Sequence, residues 1–277
     1  MIKYLVSDLD GTLFYGHGSS LFDLSKDNKK MMELLKDDED VMLCIASGRN
    51  IYYGQYLLKK YQNHSRLIAG YNGASIYDNG NLYEKHLGYE FVRKIYALSD
   101  SFNDVRDFQI LLSNGNRIFK EFNQDVMKIY QKEMIEIGHG KIEDILAFEY
   151  LNHEDRSDIV KVVIDFNHQE AMMEDLDLVL KYKDECTITS SGKCTIEISA
   201  KGFNKGSFID YLIQKYHIKN DEIATIGDAM NDVDMFNKVK YSFVMSHADE
   251  NIKKHALYEV NSVYEAYKMI KEINDKL

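Results

Sequence analysis

The sequence contains no proline and no tryptophan, and only three of its 277 residues are cysteine. Because average usage predicts about 14 prolines, this absence indicates a biased genomic composition, and no function follows from it. Cys44, Cys186 and Cys194 are odd in number, and no pair of them has metal-ligand spacing. A reducing compartment is therefore expected, and with it a cytoplasmic protein.

The sequence also has no excess of basic residues. Its 45 acidic residues outnumber its 34 basic ones, and the net charge is −11. The lysines lie in scattered pairs, which excludes a non-specific nucleic-acid binder and an anionic membrane surface as partners. No apolar run approaches the length of a membrane span, which is about 18 residues. The apolar stretch before Asp8 is too short for a signal peptide. An anionic substrate would need local cations or a metal.

What the sequence does contain is a globular balance, with 45% hydrophobic and 29% charged residues. This balance excludes disorder, and the length favours two domains. The apolar segments Ile2–Ser7, Val41–Ala46 and Leu67–Ala69 alternate with the helical patterns Ser25–Leu35 and Ile51–Tyr61. Alternation of strand and helix predicts a parallel sheet with crossover helices, whose ligands bind at the carboxyl ends of the strands.

The middle of the chain has a different pattern, with hairpin signals at Asp78–Asn81, Asn114–Asn116 and Ser190–Lys193. Hairpins mixed with helical stretches predict an α+β unit with an antiparallel sheet. After Gly202 the first pattern returns. We therefore predict a doubly wound, Rossmann-like α/β core formed by residues 1–83 and 201–277, with an α+β domain inserted at 84–200.

Two polar motifs follow apolar strands directly. The first is Asp8-Leu9-Asp10-Gly11-Thr12, and the second is the segment Gly227–Asp232, which reads GDAMND. Alternate residues of an extended chain point the same way, so Asp8 and Asp10 face one spot. Two carboxylates there are costly unless a cation or a shared proton balances them. Taken alone, the first motif also fits a plain turn in solvent.

Two weaker signals become informative when they are combined with these two motifs. Ser47-Gly48-Arg49 alone is typical of a turn before a helix, and Lys205 alone is typical of a surface lysine. Together and in this order, the four segments resemble the haloacid dehalogenase-like hydrolase superfamily, and its Cof-type phosphatase branch in particular. Asn72-Gly73-Ala74 is also similar to that branch, which places its cap between the second and third motifs.

The resemblance implies a Mg²⁺-dependent phosphatase acting on small phosphorylated metabolites, such as sugar phosphates or phosphorylated cofactor precursors. Asp8 would be the nucleophile and Asp10 the general acid and base. The metal would be held by Asp8, the backbone carbonyl of Asp10 and Asp228, with Asp232 orienting metal-bound water. The groups implied to bind the phosphoryl oxygens are Ser47, the Gly48 amide, Arg49, Lys205 and Asn231.

Two other functions remain open at this point. A phosphotransferase or mutase would use the same aspartyl-phosphate with a sugar hydroxyl in place of water, and a non-catalytic regulator would only bind phosphate. The segment Met245-Ser246-His247-Ala248 departs from the Met-Gly-Asn-Ala usual in the branch, and we expect His247 at the surface. The acidic run Asp37–Asp40 is expected to be a solvated loop. The sequence does not indicate an oligomeric state.

Overall fold

The computed structural model describes residues 1–14, 22, 24–121, 124–139, 146–152 and 156–276. The chain divides into two compact units. The first combines Met1–Tyr83 with Asn204–Leu277, and the second is the contiguous segment Glu84–Phe203. The first unit is thus built from two parts of the chain that the second unit separates.

Strands and helices alternate through most of the first unit. In chain order, the strands of the described residues are β1 (Tyr4–Ser7), β2 (Met42–Ala46), β3 (Leu67–Gly70), β4 (Ser75–Asp78), β5 (Asn81–Glu84), β6 (Val105–Leu112), β7 (Arg117–Phe119), β8 (Ile159–Phe166), β9 (Cys186–Thr189), β10 (Thr195–Ala200), β11 (Ile223–Gly227), β12 (Tyr241–Met245) and β13 (Tyr258–Val260). The α-helices are α1 (Lys26–Leu35), α2 (Ile51–Lys60), α3 (Tyr89–Leu98), α4 (Gln124–Glu136), α5 (Ala147–Tyr150), α6 (Gln169–Leu180), α7 (Lys205–Tyr216), α8 (Val233–Phe236), α9 (Glu250–Lys253) and α10 (Val263–Asn274).

The first unit contains a sheet in the order β13-β12-β11-β1-β2-β3-β4-β5. Pairing is parallel from β13 through to β3, and it becomes antiparallel between β3 and β4. Strand β1 lies between β2 and β11, so the strand order reverses at β1. In such a sheet, the carboxyl ends on either side of the reversal form the crevice where ligands bind.

Helices cover both faces of this sheet. Phe208, Ile209 and Leu212 of α7 belong to one buried cluster with Val6 and Cys44 of the sheet. On the opposite face, α2 approaches closely through Gly54, because a Cβ atom there would lie 2.8 Å from Ile68 and 3.4 Å from Ile45. Helix α1 packs against α10. The central strands of the sheet are therefore buried on both faces, as their short apolar sequences predict.

Polar side chains fix where the helices begin. The hydroxyl of Ser25 accepts a hydrogen bond from the Asn28 amide at the start of α1. Asn50 caps α2 in the same way. At α7, Asn204 and Ser207 each accept a hydrogen bond from the other's backbone amide. Such caps satisfy amides that have no partner within the helix, and the cap at Asn204 sets the position of Lys205.

The second unit contains an antiparallel sheet in the order β7-β6-β8-β10-β9. Its two faces differ in character. One carries Ile110, Ile164 and Ile198, which are buried in an apolar cluster with residues of α3 and α6. The other carries buried polar groups, and Lys161 and Glu197 form an ion pair there with 2.8 Å between Nζ and Oε1.

The predicted fold class, an α/β core with an inserted α+β domain, is confirmed. The three predicted hairpins correspond to β4–β5, β6–β7 and β9–β10. A 3₁₀ turn at Met230–Asp232 precedes the short helix α8, which ends at Phe236. Helix α3 was not predicted. No helix in the described part of the chain is long and apolar enough to span a membrane.

The prediction of a solvated loop at Asp37–Asp40 is wrong for Asp38. Its side chain is only 5% exposed. The hydroxyl of Tyr267 donates to it over 2.6 Å, and the ammonium of Lys271 lies 3.1 Å away. Burial by itself would raise the pKa of Asp38, but these hydrogen bonds outweigh burial and lower it. The loop is therefore anchored to α10.

Candidate active site

The polar motifs of the first unit meet at the carboxyl edge of the parallel strands. Asp8 follows β1, Ser47 follows β2, and Asp228 follows Gly227 at the end of β11. Because β11, β1 and β2 are parallel neighbours, their carboxyl ends lie side by side. The sheet thus gathers residues that are up to 220 positions apart in the sequence.

Lys205 lies at the centre of this edge and is 1% exposed. Its Nζ atom donates to Oδ1 of Asp8 and to Oδ1 of Asp232, over 2.6 Å in each case. Burial by itself would lower the pKa of Lys205, but the carboxylates of Asp232 and Asp8 outweigh burial and raise it. Lys205 is therefore a buried permanent cation held between two carboxylates.

Asp232 uses both of its carboxylate oxygens. While Oδ1 accepts from Lys205, Oδ2 accepts from the backbone amides of Asp228 and Ala229, over 2.9 Å each. Gly227 lies against this side chain, and a Cβ atom at Gly227 would be 2.2 Å from Cγ of Asp232. Asp232 therefore shapes the loop that carries Asp228.

Asp228 faces the first motif. The hydroxyl of Thr12 donates to Oδ1 of Asp228 over 2.9 Å. Gly11 has φ +75°, and a Cβ atom there would lie 2.4 Å from Oδ2 of Asp228. Only glycine combines this backbone conformation with so close an approach. The two motifs are therefore in direct contact.

The carboxylates of this cluster are under electrostatic strain. Burial, together with the charges of Asp232 and Asp228, raises the pKa of Asp8 well above its usual value, although Lys205 acts in the opposite direction. Burial and then the charge of Asp232 raise the pKa of Asp228 to about 6. One lysine does not balance three neighbouring carboxylates, so this site favours a further cation.

The donor set fits a hard divalent cation. Asp8, Asp228 and Asp232 each offer one carboxylate oxygen, and these oxygens lie within 4.8 Å of one another. Because Asp232 already accepts three hydrogen bonds, Asp8 and Asp228 are the better direct ligands. Carboxylate oxygens in small number suit Mg²⁺, which keeps several waters. The residues present therefore fit a divalent cation such as the Mg²⁺ that the resemblance implies.

Asp10 and Arg49 form a bidentate ion pair at the outer side of this cluster. Nε of Arg49 donates to Oδ2 of Asp10 over 2.7 Å, and Nη2 donates to Oδ1 over 2.8 Å. The guanidinium also lies over the ring of Tyr53, 4.6 Å from its centroid. Arg49, predicted to bind phosphate, thus contacts the carboxylate predicted to be the general acid and base.

The remaining predicted residues lie on the neighbouring loops. Ser47 is buried, and its hydroxyl accepts a hydrogen bond from the Arg49 amide over 3.1 Å. Gly48 is half-buried in the same turn. Asn231 is buried, and its Nδ2 donates to Oδ1 of Asn72 over 3.2 Å. The contacts bring Asp8, Lys205, Asp232 and Asp228 together directly.

Three further residues belong to this site. Thr12 was quoted within the first motif without a role. Asn72 was noted only as part of a triplet. His247 is exposed, as expected, and its Nε2 also lies 3.7 Å from Oδ2 of Asp228. The signal that pointed to His247 was its departure from the usual asparagine at that place.

A family model described as haloacid dehalogenase-like hydrolase matches residues 5–266 of the chain. The chain belongs to this family. The match covers all of the second unit and most of both parts of the first. The predicted family is thereby confirmed, and relatives named as phosphatases confirm the predicted type of enzyme.

Individual relatives agree with this assignment. The chain is 24% identical over 260 residues to 5-amino-6-(5-phospho-D-ribitylamino)uracil phosphatase YcsE of Bacillus subtilis, covering 93% of this chain and 89% of the relative. A haloacid dehalogenase-like hydrolase from B. subtilis superposes with TM-score 0.80 at 17% identity, over 96% of this chain and 99% of that one. The subclass IIB sugar phosphatase BT4131 superposes with TM-score 0.76 at 20% identity, over 97% and 99%. At these identities the two structures support the fold alone.

Proposed function

We propose that the chain is a Mg²⁺-dependent phosphomonoesterase that hydrolyses small phosphorylated metabolites through an aspartyl-phosphate on Asp8. The observation that carries this proposal is the position of Lys205, buried between the carboxylates of Asp8 and Asp232. A fixed cation beside a nucleophilic carboxylate suits phosphoryl transfer, in which positioning and charge stabilisation do most of the work.

The contacts of Asp8 assign different tasks to its two oxygens. Lys205 holds Oδ1, which leaves Oδ2 to attack phosphorus. As the bond from Oδ2 to phosphorus forms, the bond from phosphorus to the leaving oxygen breaks, and Asp10 gives that oxygen its proton. Asp10 then takes a proton from a water that attacks phosphorus. This second attack breaks the bond to Oδ2, releases inorganic phosphate and restores both carboxyl groups.

The other residues of the site hold the phosphoryl group or the metal. Lys205, Ser47, the Gly48 amide, Asn231 and Arg49 would bind phosphoryl oxygens. Mg²⁺ would be held by Asp8, Asp228 and the backbone carbonyl of Asp10, with Asp232 orienting its water. When bound, the metal supplies positive charge that offsets the carboxylates and a dianionic phosphate.

The proposed substrate class rests on named relatives. YcsE and YwtE of Bacillus subtilis are both named as phosphatases of 5-amino-6-(5-phospho-D-ribitylamino)uracil, and BT4131 is named as a sugar phosphatase. The substrate in each of these names is a small phosphate monoester that carries hydroxyl groups. We extend that class, but no single compound, to this chain.

The first experiment measures phosphate release from a panel of phosphorylated metabolites, with Mg²⁺ and with EDTA. We expect release that needs the metal, and we expect Asp8→Asn and Asp10→Asn to abolish most of it. Asp234→Asn is the matched control. Asp234 is a partly buried carboxylate of α8, close to the loop of Asp228, and takes part in none of the hydrogen bonds described above. Wild-type rates in Asp8→Asn would exclude the nucleophile assignment.

The same assay separates the proposed hydrolase from a transferase. If a phosphorylated sugar product accumulates when sugar acceptors are added, water is not the preferred acceptor and the hydrolase proposal fails. If a folded, metal-loaded protein releases phosphate from no compound and transfers none, the hydrolase proposal fails, and phosphate binding without turnover would then indicate a non-catalytic regulator. Loss of release with EDTA that Mg²⁺ restores supports the metal assignment.

A further inference from the structure

The segment after β3 has an uncommon backbone conformation. Tyr71, Asn72 and Gly73 have φ values of +51°, +55° and +90° in succession. Glycine adopts this left-handed region freely and asparagine tolerates it, but tyrosine rarely does so. Tyr71 and Asn72 are each 1% exposed. Strained conformations of this kind persist only where the surroundings hold them, and they cluster at functional sites.

Contacts from two of the site's loops hold this segment. The amide of Tyr71 donates to the carbonyl of Arg49 over 2.7 Å, and the amide of Asn72 donates to the carbonyl of Ser47 over 2.9 Å. Gly73 lies against the start of α7, since a Cβ atom there would be 2.3 Å from the carbonyl oxygen of Asn204. The segment therefore joins the loop of Ser47 to the helix that begins with Lys205.

The side chain of Asn72 reaches a third loop. Its Oδ1 accepts a hydrogen bond from Nδ2 of Asn231 over 3.2 Å, and Asn231 is 4% exposed. Within the described part of the chain, Oδ1 of Asn231 has no hydrogen-bond partner although it is buried. A carboxamide is planar, so anchoring one of its N–H groups sets the direction of its other N–H and of its oxygen.

We propose that Asn72 is a positioning residue of the phosphate site, which orients the carboxamide of Asn231 so that its second N–H faces the phosphoryl group. The inference rests on the proposed function, in which Asn231 binds a phosphoryl oxygen. The inference also explains the left-handed conformation of Asn72. With that backbone, the side chain reaches Asn231 while the backbone amide donates to the carbonyl of Ser47. The ligand is the phosphoryl group that all candidate substrates share.

A glycine substitution separates the side chain of Asn72 from its backbone. Asn72→Gly preserves the left-handed conformation and removes only the carboxamide. The chain offers a matched control in Asn79, which has φ +49° in the turn between β4 and β5. Asn79→Gly makes the same chemical change outside the site, so it reports any general effect of glycine on stability.

The binding of inorganic phosphate in the presence of Mg²⁺, measured by calorimetry, tests the proposal. Asn72→Gly should weaken or misdirect the hydrogen bond from Asn231 to the charged phosphate. We therefore expect the variant to bind phosphate about tenfold more weakly. Asn79→Gly should leave it unchanged. With p-nitrophenyl phosphate, KM should rise by a similar factor while kcat changes by less than about twofold, since the contact holds ground and transition state alike.

A double-mutant cycle with Asn231→Ala distinguishes positioning from a merely structural role. If Asn72 acts through Asn231, Asn72→Gly has no further effect on phosphate affinity in the Asn231→Ala protein. Equal losses in both backgrounds, or no loss in the single variant, would overturn the proposal. A wild-type protein that binds phosphate without any turnover would contradict the proposed function, and the same cycle would still decide the role of Asn72. A wild-type protein that binds no phosphate would overturn both.

Discussion

The guanidinium of Arg49 donates two hydrogen bonds to the carboxylate of Asp10, from Nε over 2.7 Å and from Nη2 over 2.8 Å. The pair is partly open to solvent, with side-chain exposures of 17% for Arg49 and 47% for Asp10. Such fork-shaped pairing fixes orientation as well as charge. The contact assigns Arg49 an influence on the proposed acid and base that is separate from any contact with phosphate.

The size of this influence depends on the leaving group. We expect Arg49→Ala to lower kcat/KM about tenfold for an alkyl or sugar phosphate, whose leaving oxygen needs the proton of Asp10. For p-nitrophenyl phosphate, whose leaving group departs without a proton, the loss should be about twofold. Arg49→Lys, which keeps the charge but lacks the fork, should resemble Arg49→Ala. Equal losses for both substrates would instead indicate that Arg49 acts on the phosphoryl group.

Removing the buried cation should affect both stability and binding. Lys205→Met leaves Asp8 and Asp232 buried without their partner, which costs about 3 kcal/mol in the free energy of unfolding. The matched control is Lys161→Met, which leaves Glu197 in the same situation within the second unit. Urea denaturation should show similar losses for both variants. Phosphate affinity should fall only for Lys205→Met, and unchanged affinity in that variant would remove Lys205 from the phosphate site.

Mg²⁺ should stabilise the folded protein through the carboxylate cluster. At 100 times its dissociation constant, a ligand that binds only the native state adds about 2.7 kcal/mol. Thermal unfolding of wild type should therefore shift upward with Mg²⁺ and return with EDTA. Asp228→Asn should lose most of this shift, whereas Asp234→Asn should retain it. A shift of wild-type size in Asp228→Asn would place the metal elsewhere.

A buried carboxyl group should make stability depend on pH in the second unit. Burial and then the charge of Asp165 raise the pKa of Asp107 to about 6 from 3.8. Below the lower value both folded and unfolded states are protonated. As pH rises from about 4 to about 6, the unfolded chain ionises first, so stability is lost, and the loss is complete above pH 6.

Asp107→Asn removes that loss and keeps an oxygen for the hydrogen bond from Nε2 of Gln109. We expect the variant to be about 1–2 kcal/mol more stable than wild type at pH 7, with the difference vanishing toward pH 4. Urea denaturation at several pH values measures it. Asp125→Asn, on the exposed face of α4, should change nothing. A destabilised Asp107→Asn at pH 7 would show that the ionised carboxylate has a favourable partner.

Much of the site follows from local pattern. The apolar strands before Asp8 and Asp228 predict where the two motifs lie, because parallel strands end at one edge of a sheet. The hairpins follow from their Asn and Gly turns. Helix caps at Ser25 and Asn50 mark the starts of α1 and α2. In each case the deciding residues lie within a few positions of one another.

What escaped prediction depends on partners far away in the sequence. The burial of Lys205 is one such feature. The family resemblance predicts this lysine in the site, but its burial depends on the carboxylates of residues 8 and 232, which meet it there. Asp38 is likewise anchored by Tyr267 and Lys271, more than 200 positions later. The contact between His247 and Asp228 joins two separate strand ends. The spacing of residues along the sequence does not predict contacts between such distant positions.

The position of β1 in its sheet has a consequence for synthesis. Its partner β2 follows within some forty residues, but Tyr4 also pairs with Ile223 of β11. At about 5–20 residues per second, roughly 10 to 40 s separate the two on the ribosome. The strands of the second unit all find their partners within that interval, whereas one edge of β1 stays open and available to other chains. During synthesis the chain therefore carries an unpaired strand edge that β11 covers in the complete fold.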